Sequence, residues 1–547
     1  MLASDGRRHY KGAVATPPPI EAPLPLRLPA WACAALAVVL AFVYLRGIAG
    51  DPLRWEEPRR ALVASEMIRR ADGVVPRLLG EPYLNKPPMH SWLIVLFSGF
   101  DARRVGALSV RLPSVLAVAG IALLLAGLGT GSRSGPDPLP ALVFLTLGIL
   151  PQYGRPGEID LPFTLWTTAA LAAFELGRRR ASGGLQWVAS QALVAGGVLT
   201  KGFAPLFFHP PALLLTWRRR LPWRGLALGG GLVLMLALVA AWVVPYSLSG
   251  PVRALGERLS SEVAQRTTDA GAGAVLRHLA LYPFVLAAAA APWSLVLVAL
   301  ATRRGRVALR GVLEDPWIAL CGAAVAWGVL VFAFVPGTLP RYLIPVLPPA
   351  AVLAAAALAR VDRPSSASAP WAVLAAAWAV AAPLAARRPL RALPETDRLL
   401  LVAAVTALGL LAVAAGREVA RRFGAATAAL LAGGLLYGLA FAGVAEPAAA
   451  RRVQAFVDAA EALAPKVRAQ VPLVAAEGTD RRFTWPLAHR LDRIPVERPP
   501  EPPYDLVGPV GTEAPERSRL VAESGGFALW RVRAARPEGA PPGDGGR

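Results

Sequence analysis

Apolar runs of about 15 to 22 residues recur along the chain from Trp31 to Val444, separated by short polar or arginine-bearing stretches. That is the length at which a helix crosses the hydrocarbon core of a bilayer. The runs fall at 31–45, 105–128, 138–153, 161–176, 185–199, 203–217, 226–244, 279–300, 317–335, 343–358, 371–386, 399–415 and 425–444. They predict an all-α polytopic membrane domain over residues 29–445 with about thirteen spans. Pro88 to Phe100 is also apolar, but at about 13 residues it suits an interfacial or re-entrant helix better than a span. Arg59 to Arg70 has the spacing of an amphipathic interfacial helix. From Glu446 the pattern changes. A helical periodicity over Val453 to Val467 is followed by strand-like runs at Val471 to Ala475 and Phe527 to Val532. This predicts a small α/β domain over 446–533, and the Pro/Gly-rich residues 534–547 read as a disordered tail.

Charge orients the spans. The chain carries 58 Lys+Arg against 36 Asp+Glu, a net +22, yet only 17% of its residues are charged and 55% are hydrophobic. The basic excess sits in clusters beside apolar runs, which is the positive-inside signature and not a nucleic-acid-binding stripe. With 88–100 held at the interface, Arg178–Arg180, Arg218–Arg220, Arg303–Arg304 and Arg417/Arg421/Arg422 all fall on the cytoplasmic side, and only Arg387/Arg388/Arg391 falls outside. The polar, Pro-rich residues 1–28 then form a cytoplasmic tail before an uncleaved signal anchor. The segments 46–104 and 245–278 and the C-terminal region are external. Both cysteines, Cys33 and Cys321, lie inside apolar runs, so neither a disulfide framework nor a thiolate metal site is supported.

The external face holds the candidate chemistry. Glu56-Glu57-Pro58 reads as a helix start with acidic residues at the positive end of the dipole. It reads equally as a carboxylate pair able to act as a base. Asp160 opens an apolar run and is either an N-cap or a third acid on the same face. The chain has four lysines, Lys11, Lys86, Lys201 and Lys466, among 58 basic residues, so a lysine where arginine is the default carries information. Lys201 lies between two apolar stretches, where it either snorkels to the interface or binds an anion near it. Arg341-Tyr342 and Arg277-His278, each at the external end of a run, are either interfacial belt residues or contacts to a lipid phosphate.

In series, these blocks resemble the GT-C superfamily of polyprenyl-phosphate-sugar glycosyltransferases, in the branch of the aminoarabinose transferases and protein O-mannosyltransferases. The likeness runs through Glu56-Glu57-Pro58-Arg59-Arg60, Gly80-Glu81-Pro82-Tyr83-Leu84-Asn85-Lys86-Pro87-Pro88 and Arg111-Leu112-Pro113-Ser114. It continues through Asp160-Leu161-Pro162, Leu199-Thr200-Lys201-Gly202, Pro292-Trp293-Ser294 and Leu339-Pro340-Arg341-Tyr342-Leu343-Ile344-Pro345. The resemblance implies a multi-pass enzyme of the bacterial inner membrane with its active site on the periplasmic side. It would transfer a sugar (aminoarabinose, mannose or another) from a polyprenyl phosphate such as undecaprenyl phosphate by inverting displacement, with no nucleotide sugar. The acceptor would be lipid A or another glycan, or a protein. Glu56, Glu57 and Asp160 are the implied catalytic residues, and Arg59, Tyr83, Lys86, Lys201, Arg277, His278, Arg341 and Tyr342 the implied substrate contacts. Three positions depart from the family pattern: Glu56 stands where Asp is usual, Arg60 where Tyr is common, and Asn85 where some members carry an acid that helps hold a metal. No required metal is therefore expected. The rival class is a flippase that moves the lipid-linked sugar without chemistry, but such a carrier has little use for about sixty polar-rich external residues.

The charge map makes a direct prediction. Reporter fusions after Arg180 should read cytoplasmic and fusions after Arg533 periplasmic; the reverse at either site overturns the topology.

Overall fold

The computed structural model describes residues 28–534 except Leu84, 133–134, 181–182, 203, 208, 210–225, 250–271, 336–337, 363 and 392. The N-terminal tail, most of the predicted span 203–217, most of the loop 245–278 and nearly all of the predicted disordered tail lie outside the described residues. Within them, seven helices are long and apolar enough to cross a bilayer: Ala107–Leu128, Gly229–Leu248, Pro316–Ala333, Pro340–Val361, Ala369–Ala386, Glu395–Phe423 and the helix that starts at Ala425. Gly273–Ala289 and Trp293–Ala301 make an eighth if taken together, bent by 115° at the break. The other predicted spans are helical but shorter or more polar. Ala30–Leu45 has 16 residues, and Asp160–Arg179 and Gly184–Lys201 carry the polar groups described below.

The run 138–153 is not one helix. It divides into Leu139–Leu145 and Leu150–Tyr153. The opened backbone is satisfied by the other broken pass: Gly148 N donates to Ala291 O at 2.5 Å, and Trp293 Nε1 donates to Thr146 Oγ1 at 2.9 Å. Two interrupted helices thus complete each other, which makes non-helical backbone tolerable at membrane depth.

The two ends of the bundle differ. At one end, Glu175 is fully buried and binds Arg178 and Arg179 at 2.6 and 2.7 Å, while Asp315 caps Pro316–Ala333 and accepts from the Ser132 hydroxyl at 2.9 Å. Asp362 accepts from Thr427 N and Oγ1 beside the turn at Gly424. Here Arg178 and Arg179, predicted to be cytoplasmic, are tied to the end of their own helix. The opposite end carries the first external segment and the C-terminal residues. There helix Glu57–Arg70 packs on the short helix Met89–Phe97, so 88–100 forms a nine-residue helix at the polar end of the bundle. A two-residue hairpin, β1 (Arg77–Leu78) and β2 (Glu81–Pro82), follows the first of these helices. Leu79 and Gly80 turn it with φ of 55° and 88°, the left-handed values that a tight hairpin needs.

The last span does not stop at Val444. A π-helical turn, Phe441–Ala445, joins it to Glu446–Leu463, giving a helix of 42 residues from Ala425 to Lys466. At 1.5 Å per residue it is about 63 Å long, twice the hydrocarbon thickness. Beyond it lies a four-stranded sheet in the order β3-β4-β6-β5, made of Leu473–Ala475, Tyr504–Pro509, Phe527–Val532 and Ser518–Ser524. The β3/β4 pair is parallel and the others antiparallel. One hydrophobic core contains Leu53, Leu62, Met67, Leu79 and Ile94 from the first external segment together with Leu463, Phe483, Trp485 and Leu529 from the C-terminal region. The external face is therefore a single packed body.

Candidate active site

Glu57 is the anchor of this face. Its Oε1 accepts from Arg111 Nε at 2.7 Å and Gly157 N at 2.9 Å, and its Oε2 from Arg111 Nη2 at 3.0 Å and Arg54 N at 2.7 Å. Burial alone raises its carboxyl, but the Arg111 guanidinium and the backbone donors outweigh that and hold it below the usual range. Arg111 also donates to the carbonyls of Gly47, Ile48, Asp51 and Pro52. One turn later Ser114 Oγ donates to Glu158 O at 2.8 Å. His90, which burial drives down to about 3 and so keeps neutral, donates from Nε2 to Gly157 O at 3.2 Å. Gly157 has no room for a side chain: a Cβ there would lie 2.4 Å from Val110 O. Residues 154–160 are thus held on three sides, and this loop carries Glu158 and Asp160 to the cleft.

Around that loop the remaining polar groups converge. Asp160 Oδ1 accepts from Lys201 Nζ at 2.6 Å, and the ammonium stands 4.7 Å from the Tyr342 ring and 5.3 Å from the Phe163 ring. Arg341 lies within electrostatic reach of Asp160 and Glu158 and hydrogen-bonds Tyr342. Glu56 binds Arg59 at 2.5 Å, one turn along the helix, and both are about one-third exposed. Arg60 is buried and donates to Tyr83 Oη at 3.1 Å. Trp55 adopts φ 52° at the turn into the helix and places its ring 6.0 Å from that of Tyr153. A strained, non-glycine turn of this kind is what sites use to aim a side chain. Here it aims Glu56.

Of the sequence-predicted residues, the structure gathers Glu56, Arg59, Asp160, Lys201, Arg341 and Tyr342, with Tyr83 joined through Arg60. Lys86 is half-buried, three residues beyond Tyr83. Glu57, a catalytic candidate from the sequence, faces inward with both oxygens filled by protein donors, the geometry of a structural clamp. Arg277 and His278 do not join the acids. They line a flanking pocket of about 310 Å³ with Tyr282 and Thr338. Phe332 stands between the two, its carbonyl accepting from His278 Nε2 at 3.0 Å and its ring 6.4 Å from that of Tyr342.

The fold is similar to that of a solved structure. ArnT from Cupriavidus metallidurans, in a crystal structure described as bound to undecaprenyl phosphate, aligns with a TM-score of 0.69 over 92% of this chain and 98% of that one, at 21% identity. The chain has the GT-C fold. In sequence, the chain matches at residues 85–244 a family described as dolichyl-phosphate-mannose-protein mannosyltransferase. It is also similar to proteins named undecaprenyl phosphate-alpha-4-amino-4-deoxy-L-arabinose arabinosyl transferase. That of Edwardsiella ictaluri is 31% identical over 347 residues, covering 60% of this chain and 59% of that protein, and that of Pseudomonas aeruginosa is 29% identical over 354 residues. The chain thus spans about three-fifths of the length of these relatives. The likeness read from the acidic pair, the Lys-Pro-Pro block and the Pro-Arg-Tyr block is matched in fold along nearly the whole chain.

Sequence reasoning missed Glu158, which sits two residues before Asp160 and is 1% exposed within the GT-C cleft. It missed the ion pair of Arg54 with Glu446, which fixes the residue before Trp55 to the π-helical turn of the last span. The signal for the first was an i, i+2 pair of acids opening an apolar run. For the second there was none, since the partners are almost 400 residues apart.

The Glu57 clamp has a measurable cost. Glu57→Gln leaves Arg111 buried without a counter-charge and should cost about 3–5 kcal/mol, seen as a large drop in the apparent Tm of the detergent-purified protein. Replacing both residues (Glu57→Gln with Arg111→Met) should recover part of it. An unchanged Tm for Glu57→Gln would return this residue to the acids free for chemistry.

Proposed function

We propose that this protein is a membrane glycosyltransferase that moves a sugar from a polyprenyl-phosphate carrier to an acceptor at the face carrying Glu56, Asp160 and Arg341. We further propose that this face is the periplasmic side of the bacterial inner membrane. The observation that carries the reading is the convergence of two carboxylates and several cations in one cleft at the polar ends of the spans, inside the GT-C fold. Bond cleavage at the anomeric carbon releases polyprenyl phosphate, whose growing negative charge needs fixed donors in a site shielded from water. Lys86, Lys201 and Arg341 are the cations assigned to it, with the Tyr342 hydroxyl, and the pocket of Arg277 and His278 flanks the path of the lipid. Asp160 is paired with Lys201 and so acts by charge and orientation. Glu56, partly exposed beside Arg59, is the group assigned to meet the acceptor. A hydroxyl acceptor gives up its proton as it attacks, and Glu56 takes it. A phosphate acceptor, as on lipid A, needs only orientation.

Similarity to aminoarabinose transferases favours an aminoarabinose-like donor and a lipid A-type acceptor. The match at 85–244 to a protein mannosyltransferase family supports the second reading, transfer to a protein hydroxyl. Neither includes a resident metal. The residue before Lys86 is Asn85, whose amide is a poor substitute for a carboxylate ligand, and transfer should persist after treatment with a chelator.

The test is transfer from polyprenyl-phosphate sugars by the purified full-length chain, read together with mass spectrometry of lipid A and surface glycans from a deletion strain. Glu56→Gln and Asp160→Asn should each abolish transfer; Glu56→Gln should leave the Tm near that of the parent, while Asp160→Asn, which takes the counter-charge from Lys201, should lower it. Near-normal turnover in both would overturn the assignment. For Lys86→Ala, loss of one charge-assisted hydrogen bond of about 1.5–3 kcal/mol predicts a ten- to hundred-fold fall in rate. Lys86→Arg should restore only part, because the planar fork is longer and differently directed.

A further inference from the structure

Each of three carboxylates at this site faces a basic side chain: Glu56 has Arg59, Glu57 has Arg111 and Asp160 has Lys201. Glu158 is built differently. Its side chain is almost fully buried, and its one hydrogen-bond donor among the described residues is the backbone N of Glu56, at 3.4 Å. Within electrostatic reach of it lie Arg60, on the first external helix, and Arg341, in the first turn of Pro340–Val361, with Asp160 and Glu57 as the nearby negative charges. Tyr153 completes the wall, and His90 and Arg111 lie behind the loop as described above. The bonds from Ser114 and His90 and the bond to Glu57 fix the backbone at 157–158, so the carboxyl cannot swing away from these neighbours.

We propose that Glu158 is a positioning residue of the cleft: its carboxylate, when ionised, holds the backbone of Glu56 and the guanidinium groups of Arg60 and Arg341 in their working places. Arg60 and Glu158 then form a unit. A buried arginine needs a counter-charge, and Glu158 supplies it between the helix that bears Glu56 and the turn that bears Arg341. Protonation removes that charge, leaving the two guanidinium groups to repel each other across the cleft. Burial lifts the Glu158 carboxyl to about 7, with Arg60 and Arg341 pulling it down and Asp160 and Glu57 pushing it up. The exchange of states therefore falls in the neutral range. Because the folded value is raised, the ionised, positioning form dominates above pH 7 and is lost as pH falls through it.

The consequence for transfer rests on the function proposed above, so the test has two arms. In the first, the rate of transfer from a polyprenyl-phosphate sugar is followed from pH 6 to pH 8 in the full-length protein. One group titrating at 7 gives a fall of about tenfold from pH 8 to pH 6. Glu158→Gln should flatten that step at a rate near the low-pH value of the parent, and Glu158→Asp should retain a step. In the second arm no substrate is used. Hydrogen exchange of the peptide spanning 54–61, corrected for intrinsic rates, should slow at pH 8 relative to pH 6 in the parent and lose that difference in Glu158→Gln. A parent and Gln variant with the same exchange difference overturn the positioning role, as does an unchanged pH step in the rate. If the exchange difference depends on Glu158 while no polyprenyl-phosphate sugar is turned over, the proposed function fails and the positioning role stands.

Discussion

Arg111 and Glu57 meet where three separate parts of the chain must be brought into register. Taking both charges out of water costs several kcal/mol per ion, and the attraction between them repays it only when every remaining donor and acceptor is filled. Here they are filled. The spare guanidinium hydrogens bind four carbonyls of the turn at 47–52, and the spare carboxylate positions take the amides of Arg54 and Gly157. A pair this completely satisfied tolerates no shift of any partner. It sets where the first helix of the external face begins, and therefore where Glu56 points. It also sets where the loop before Asp160 runs. The cleft is the space left between those two fixed edges.

The same physics separates the ends of the bundle. At the arginine-rich end, charges close helices: Glu175 gathers its own arginines three and four residues on, and Asp315 and Asp362 terminate neighbouring helices. Those contacts are short in sequence or lie at caps, and they consume their charges. At the other end Glu56–Arg59 stays about one-third exposed, and Lys201 reaches Asp160 from the end of one helix to the start of another.

Much of this was legible in the sequence because hydropathy and arginine placement are local signals. The apolar runs marked most of the helices, though seven or eight of the thirteen expected spans are long and apolar enough to cross among the described residues. The length of Pro88–Phe100 set the sidedness they predict. The acids Glu56 and Asp160 and the cations Lys201 and Arg341 stood out because polar residues are costly in such a chain and each sits at the edge of an apolar run. What could not be read is what depends on pairing across distance. Nothing in Glu56-Glu57 says which of two adjacent acids turns inward; that is decided by Arg111, more than fifty residues later. The run 138–153 looks continuous because its break is repaired by Ala291 and Trp293, which belong to another pass. In the C-terminal region, β4 was hidden behind Pro499-Pro500-Glu501-Pro502-Pro503, a stretch that resembles a linker, although Tyr504 to Gly508 is buried throughout.

The shared core of the external face has a consequence for how the molecule is made. Leu62 and Met67 are synthesised well before Leu463, Phe483 and Leu529. About 400 residues of synthesis separate them, or roughly 20 to 80 seconds at 5–20 residues per second. Through that interval the first external helix is covered only by neighbours such as Met89–Phe97 and lacks the C-terminal part of its core. Assembly of this shared core therefore waits on residues about 400 positions further along the chain.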